Sequence, residues 1–170
     1  MLEDALTYSR AGYSVFPVEQ GGKKPLVNWT PFQAIRATEN LISYWWTKYR
    51  SANIGIATGA ISGFFVLDCD GMEQIQDVKR RGLPVTYSVT TGKGAHFYLN
   101  LPAFSVRNRA GILPGVDIRG DGGYVVAPPS VHPSGRVYHV SCDVPIANAP
   151  GWLLDLLKPV PIIPVQRPVV

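Results

Sequence analysis

Phe64-Phe65-Val66-Leu67-Asp68-Cys69-Asp70-Gly71 is the stretch on which the reading of this chain turns. The apolar run predicts a buried strand, and Asp-x-Asp-Gly predicts that its last residues carry acid into a turn. Side chains two apart on a strand share a face. Asp68 and Asp70 are therefore expected side by side, with Cys69 pointing to the other face and into the core. Neighbouring carboxylates repel unless a cation sits between them or one takes up a proton. Oxygen ligands of this kind suit Mg²⁺ or Mn²⁺, which hold and activate phosphates. The plainer alternative is a turn at Asp70-Gly71 with Asp68 capping the next helix, and the surrounding sequence has to separate the two.

A chain of 170 residues has room for one domain with a real core. Its 46% hydrophobic and 16% charged content is that of a globular protein, neither disordered nor membranous. No apolar run approaches the ~20 residues of a membrane span, and Met1-Leu2-Glu3-Asp4 does not open a signal peptide. Cys69 and Cys142 form no Cys-x-x-Cys pair, so no structural zinc is expected and a reducing interior suits them. A net charge of +4 and a pI near 9.2 are compatible with a polyanionic partner. Lys79-Arg80-Arg81 and the pair Arg107 and Arg109 are the basic clusters, although a helix C-terminus explains the first equally well.

Helices are expected over 2–11, closed by Gly12; after Thr30-Pro31, read as N-cap and N1 proline; over 39–49 behind Thr38; over 73–81, closed by Gly82; and over 152–158. Leu41, Ile42, Trp45, Trp46 and Tyr49 recur at helical spacing and read as core. Strands are expected over 13–18, with Pro17 marking an edge, over 53–57, through the acidic segment, and over 86–90, 95–101, 116–119, 124–127 and 137–140. Many strands among few helices predict an α+β domain with a mixed or antiparallel sheet. The proline-rich stretch 159–170 reads as an extended linker to a missing C-terminal region.

Two further segments carry chemistry. In Thr90-Thr91-Gly92-Lys93-Gly94-Ala95-His96, glycines let the backbone approach an anion, hydroxyls and amides can donate to it, and lysine neutralises charge. The spacing is not that of a P-loop, and alone the segment is a hairpin turn containing a lysine. His96 opens a strand on the same face as Tyr98, with Phe97 opposite; it reads as a structural hydrogen-bonder or a phosphate contact. In Gly115-Val116-Asp117-Ile118-Arg119, Asp117 and Arg119 share a face opposite Val116 and Ile118. They form either an ion pair or a third metal ligand beside an arginine that grips phosphate. Asp121-Gly122-Gly123 reads as a tight turn, and Ser130 is a weaker candidate contact. Tyr87, Tyr98 and Tyr124 can line a sugar pocket or simply pack the sheet. His96, His132 and His139 are far apart, with no His-x-x-x-His spacing and no nucleophilic triad.

The order of these segments resembles the bifunctional DNA primase/polymerase (prim-pol) family of the archaeo-eukaryotic primase superfamily. The acidic strand comes first, then the glycine-lysine loop with its histidine, then Val116-Asp117-Ile118-Arg119-Gly120-Asp121-Gly122-Gly123-Tyr124-Val125-Val126-Ala127-Pro128-Pro129-Ser130. Ala11-Gly12-Tyr13-Ser14-Val15-Phe16-Pro17, Lys23-Lys24-Pro25 and Asn53-Ile54-Gly55-Ile56-Ala57-Thr58-Gly59 fit as well. The likeness spans residues 1–158, the catalytic domain, and leaves 159–170 as linker.

The resemblance implies two-metal nucleotidyl transfer, with Asp68, Asp70 and Asp117 holding two Mg²⁺ or Mn²⁺ ions. It implies that His96 touches the triphosphate of the incoming nucleotide, with Lys93, Ser88 and Thr90 in the same motif. Arg119, Lys23, Lys24, Arg107 and Arg109 are candidate phosphate or template contacts by chemistry and position. The implied fold is an RRM-like mixed or antiparallel sheet core with a smaller N-terminal α/β unit. The implied partners are a DNA template and primer, nucleoside triphosphates and a C-terminal helical primase or helicase region, with no membrane. The implied setting is the cytoplasm, in bacterial, archaeal, plasmid or phage replication. Some relatives carry a zinc-binding stem, for which this chain lacks the cysteines and histidines. Priming in such relatives often needs a helical domain after the core, so extension of an existing primer is the expected activity of these residues, with de novo priming needing further ones.

Two competing readings use the same residues. A non-catalytic nucleic-acid-binding module gains little from three acids that face phosphates. A metal-dependent phosphohydrolase would use the acids without a template and without an elongated product.

Overall fold

The acidic segment forms a strand, Phe64–Cys69, in the middle of the larger of two sheets. The computed structural model describes residues 1–159, so the expected linker lies outside the described residues apart from Pro159. In chain order the elements are α1 (Leu2–Arg10), β1 (Ser14–Val18), a 3-10 turn (Thr30–Gln33), α2 (Glu39–Lys48), β2 (Asn53–Ala57), β3 (Phe64–Cys69), α3 (Met72–Arg80), β4 (Ser88–Thr90), β5 (Ala95–Asn100), β6 (Arg109–Leu113), β7 (Val116–Arg119), β8 (Tyr124–Ala127), β9 (His139–Cys142), β10 (Ala147–Asn148) and α4 (Gly151–Leu157).

The larger sheet runs β6-β7-β3-β5-β4-β9 with antiparallel neighbours, and β10 pairs parallel with the end of β5. The smaller sheet is antiparallel β1-β2-β8. The α+β class with antiparallel sheets is as expected, but the smaller unit is not purely N-terminal. With β1 on one edge of β2, the N–H and C=O groups of its other edge need partners, and β8 from the second half of the chain supplies them.

Local chemistry sets most element ends. The Thr38 side chain accepts from the Leu41 amide at 3.3 Å, so it caps α2. Glu39 in the first turn and Lys48 in the last complement the helix dipole. Thr30 does not cap its turn; it is the first turn residue, and its amide donates to Asn28 Oδ1 at 3.3 Å. β6 forms where a loop was expected, because an exposed edge strand is held by backbone pairing with β7 and needs no apolar alternation. β9 begins later than expected, since Val137 bridges Val131 across the hairpin before it.

Alternation divides the larger sheet into two unlike faces. Phe65, Leu67 and Cys69 of β3, with Phe97, Leu99, Val116 and Ile118, pack against Ile75 and Val78 of α3 and Leu153 of α4. Phe64, Val66 and Tyr98 point the other way, into a core shared with Phe16, Ile42, Trp45, Trp46, Ile54 and Ile56. Each such side chain contributes roughly 1.5–3 kcal/mol of burial free energy. Asp68 is the next residue on that second face, and there the apolar cover gives way to a cleft.

Candidate active site

Strand pairing builds the site. Asp68 on β3 lies directly opposite Asp117 on β7 and directly opposite His96 on β5. The three therefore form a row across one face, while Arg119 stands one step along, opposite Val66. The Arg119 guanidinium closes on both acids, donating from Nη2 to Asp68 Oδ2 at 3.0 Å and to Asp117 Oδ2 at 2.8 Å. Its Nε reaches Asp68 Oδ2 at 3.2 Å. His96 Nε2 lies 3.4 Å from the other Asp68 oxygen, and the Gly111 amide donates to Asp117 Oδ1 at 2.8 Å. His96 is 6% exposed, and its Nδ1 is buried without a partner.

These contacts fix the charge state of Asp68. Burial alone raises a carboxyl pKa, but the His96 hydrogen bond and charge, followed by Arg119, outweigh it and hold Asp68 well below the usual range. Asp68 is a carboxylate at any physiological pH. Tyr138 faces the same centre, and its hydroxyl is pushed up to about 12 by burial and then by the Asp68 charge.

The cleft above this row has a volume of about 210 Å³. Lys23, Asn108 and Arg119 border it with Asp68, His96 and Tyr138, and residues 122–126 form the opposite lip. Tyr124 ties that lip to the Lys23 loop by donating to the Lys23 carbonyl at 2.7 Å. Asp121 is more than a turn residue: its carboxylate accepts from the Ala60 amide at 2.8 Å and from Ser105 Oγ at 2.6 Å, bracing the lip between the two sheets.

The structure brings Asp68, Asp117, His96, Arg119, Lys23 and Tyr124 together and leaves other candidates outside. Asp70 lies one residue past the end of β3, exposed, its amide bonded to the Gly115 carbonyl at 3.0 Å. Among the described residues no three carboxylate, histidine or cysteine side chains already form a metal-holding group. Ser88 and Thr90 pair with Phe97 and Ala95, which puts them on the face away from His96, and Ser88 Oγ bonds Ser141 Oγ at 3.1 Å. Arg109 donates to the Leu156 carbonyl at the end of α4 at 3.2 Å. Arg107 and Lys24 are exposed and do not border the cleft. Lys93 is exposed on a tight turn whose amides are partly spent, since Thr91 Oγ1 accepts from Lys93 at 3.3 Å and Gly94 at 3.0 Å. Tyr98 is core, and Tyr87 packs edge-on against it. Asn108 and Tyr138 border the cleft without a local sequence signal to announce them.

An antiparallel α+β domain with opposed carboxylates, a histidine and basic groups at the open end of one sheet face is built for phosphate chemistry. The family description "bifunctional DNA primase/polymerase, N-terminal" matches residues 5–152, and the chain belongs to this Prim-Pol family. No curated protein matches the chain. Membership makes DNA primase/polymerase chemistry, a nucleotidyl transfer with DNA and nucleotides as substrates, the activity to which the site is to be fitted. No helix among the described residues is long and apolar enough to cross a membrane.

Proposed function

We propose that this chain is the catalytic domain of a template-directed DNA polymerase/primase, adding nucleotides from nucleoside triphosphates to a 3′-hydroxyl in replication. The observation that carries the reading is the row Asp117, Asp68, His96 across three neighbouring strands of one face, in a chain of the Prim-Pol family. The larger sheet supports an RRM-like core: β3, α3, β4, β5 and β7 follow in sequence and stand in the order β7-β3-β5-β4.

The donor set fits a hard divalent cation. Asp68 and Asp117 offer carboxylate oxygens from opposed positions, Asp68 is held ionised, and a positive group, the Arg119 guanidinium, already spans the two. Asp68 and Asp117 would hold Mg²⁺ or Mn²⁺, with exposed Asp70 at the strand end available to a second ion. Such ions lower the pKa of the attacking hydroxyl and neutralise charge on the leaving pyrophosphate. Arg119, once released from the acids, is free to turn on a phosphate, and His96 is placed to donate to one beside Asp68. The buried Tyr138 borders this end of the cleft.

Extension of a labelled primer on a DNA template, with Mg²⁺ or Mn²⁺ and four deoxynucleotides, tests the reading. Wild type should give a ladder that Asp68→Asn and Asp117→Asn reduce by about a thousandfold or more. A second reading draws on Arg119, which already pairs with both acids and offsets part of their charge, as a binding module would require. Folded wild type that binds DNA and makes no ladder would favour that module. Phosphate release without a template would favour a phosphohydrolase.

A further inference from the structure

A short hairpin bounds the cleft on the Lys23 side, and its far side is basic and aromatic. Val18 bridges Pro25, and the Glu19 amide donates to the Lys24 carbonyl at 2.9 Å. The Gly22 carbonyl accepts from the Asn53 side chain at 3.3 Å, so residues 19–24 stand as a fixed wall. Lys23 borders the cleft from this wall, and exposed Lys24 follows it. Behind the wall lies an open groove of about 310 Å³, lined in part by Glu19, Gln20, Leu26, Lys48, Tyr49 and Arg50.

The last three of these sit where α2 ends, on a turn that cannot drift. The Tyr49 amide donates to the Trp45 carbonyl at 2.7 Å and the Ala52 amide to the Tyr49 carbonyl at 2.9 Å. Trp46 Nε1 donates to the Ala52 carbonyl at 3.2 Å, and both of those residues are buried. The turn is thus pinned to the core while Lys48 and Arg50 stay exposed. Lys48 Nζ lies 5.1 Å from the centroid of the half-buried Tyr49 ring. Tyr44, four residues before Lys48, shares its helix face and is 60% exposed. The core side of α2 is filled by Ile42, Trp45 and Trp46, so Tyr44 adds nothing to it. Lys24, Lys48 and Arg50 make no ion pair among the described residues, and Glu19 is the one acid that lines the groove.

We propose that Tyr44, Lys48, Tyr49 and Arg50 form a surface for single-stranded DNA, taking the template strand where it has crossed the hairpin out of the cleft. This rests on the nucleotidyl-transfer reading, which puts a template in the cleft. Lys23 and Lys24 carry positive charge over the wall, so the path from cleft to groove keeps one sign. Lys48 and Arg50 can each neutralise a backbone phosphate. Exposed tyrosine faces accept any base by stacking, which suits a strand of arbitrary sequence. The surface therefore holds uncopied template and is blind to its sequence.

The test is fluorescence anisotropy of the folded protein on primer–template DNA whose template 5′ overhang is about three or about sixteen nucleotides long. Wild type should bind the longer overhang about tenfold more tightly or better. Lys48→Ala and Arg50→Ala should each weaken binding of the long overhang about fivefold, lower its salt slope by about 0.7, and leave the short one unchanged. Tyr44→Ala should cost the long overhang about tenfold, while Tyr44→Phe, which keeps the stacking face, should bind as wild type does. All three positions are exposed, and circular dichroism checks that the variants fold. Wild type indifferent to overhang length overturns the proposal, as does unchanged binding in the variants. Equal losses on both overhangs overturn it too and make the patch a duplex contact. Primer extension judges the broader reading separately: a protein that makes no ladder yet shows the overhang-dependent losses keeps this surface and loses the polymerase.

Discussion

β3 carries two chemistries on its two faces. Phe65, Leu67 and Cys69 look into a closed apolar layer under α3 and α4. Phe64 and Val66 look into an equally closed layer under the smaller sheet, but the next residue on that side, Asp68, emerges into the cleft. The strand that anchors the fold thus also aims the acid, and the change from core to site takes one step of the pleat. Rigidity follows: Asp68 cannot move without disturbing Leu67 and Cys69 behind it, so its position relative to Asp117 and His96 is set by packing rather than by a loop.

Mutating the two faces should separate these roles. Leu67 is fully buried, and Leu67→Ala should cost about 2–5 kcal/mol in urea unfolding. That loss should be the same at pH 7 and pH 4, because no titrating group is removed. Asp68→Asn should behave differently. The native pKa of Asp68 lies far below the unfolded value of about 3.9, so its stabilisation is complete above that value and is lost as pH falls toward the native pKa. In chelated protein the gap between wild type and Asp68→Asn should therefore narrow as pH drops from 5 to 3. Parallel curves for Asp68→Asn would mean that its contacts with Arg119 and His96 do not stabilise the native state.

Much of this contrast was legible before any coordinates. The alternation around Asp68, Tyr98 and Asp117, the Thr38 cap and the glycine-closed helices are local signals, and each appears where the pattern puts it. The departures from the pattern have local causes as well. Ser88 and Thr90 share a motif with His96, yet the hairpin pairs Thr90 with Ala95, which sends both hydroxyl residues to the other face. Counting across the four-residue turn Thr91 to Gly94 would have shown it. Asp70 shares the parity of Asp68, but it lies one residue past the end of β3, exposed and off the border of the cleft, with its amide bonded to the Gly115 carbonyl. Asn108 and Tyr138 reach the cleft through long-range closure of the chain, and β6 and β10 form through backbone pairing. No periodicity encodes either.

A smaller effect sharpens the open face. Arg119 spans Asp68 and Asp117 where a divalent cation would have to bind, so the two compete. Arg119→Gln should remove the competitor, leave the carboxylates repelling each other, and raise Mn²⁺ affinity by about tenfold in calorimetry, or about 1.4 kcal/mol. Weaker Mn²⁺ binding in the variant would show instead that Arg119 positions the acids for the ion.

The smallest effect probes the closed face through a buried ionisable group, the Cys69 thiol. Cys69 is 1% exposed, and its thiol is pushed up to about 12, first by burial and then by the charges of Asp68, Asp70 and Asp77. Cys142 is free and half-buried, at the outer strand of the same sheet. Since the thiolate is the reactive form, native protein at pH 8 should yield one fast equivalent with a disulfide reagent, from Cys142, and the second only on unfolding. Cys142→Ser should abolish the fast phase without changing the slow one. A fast phase that survives in Cys142→Ser would mean that the layer behind Asp68 opens readily, and an acid backed by an open layer could not be held in register with Asp117 and His96.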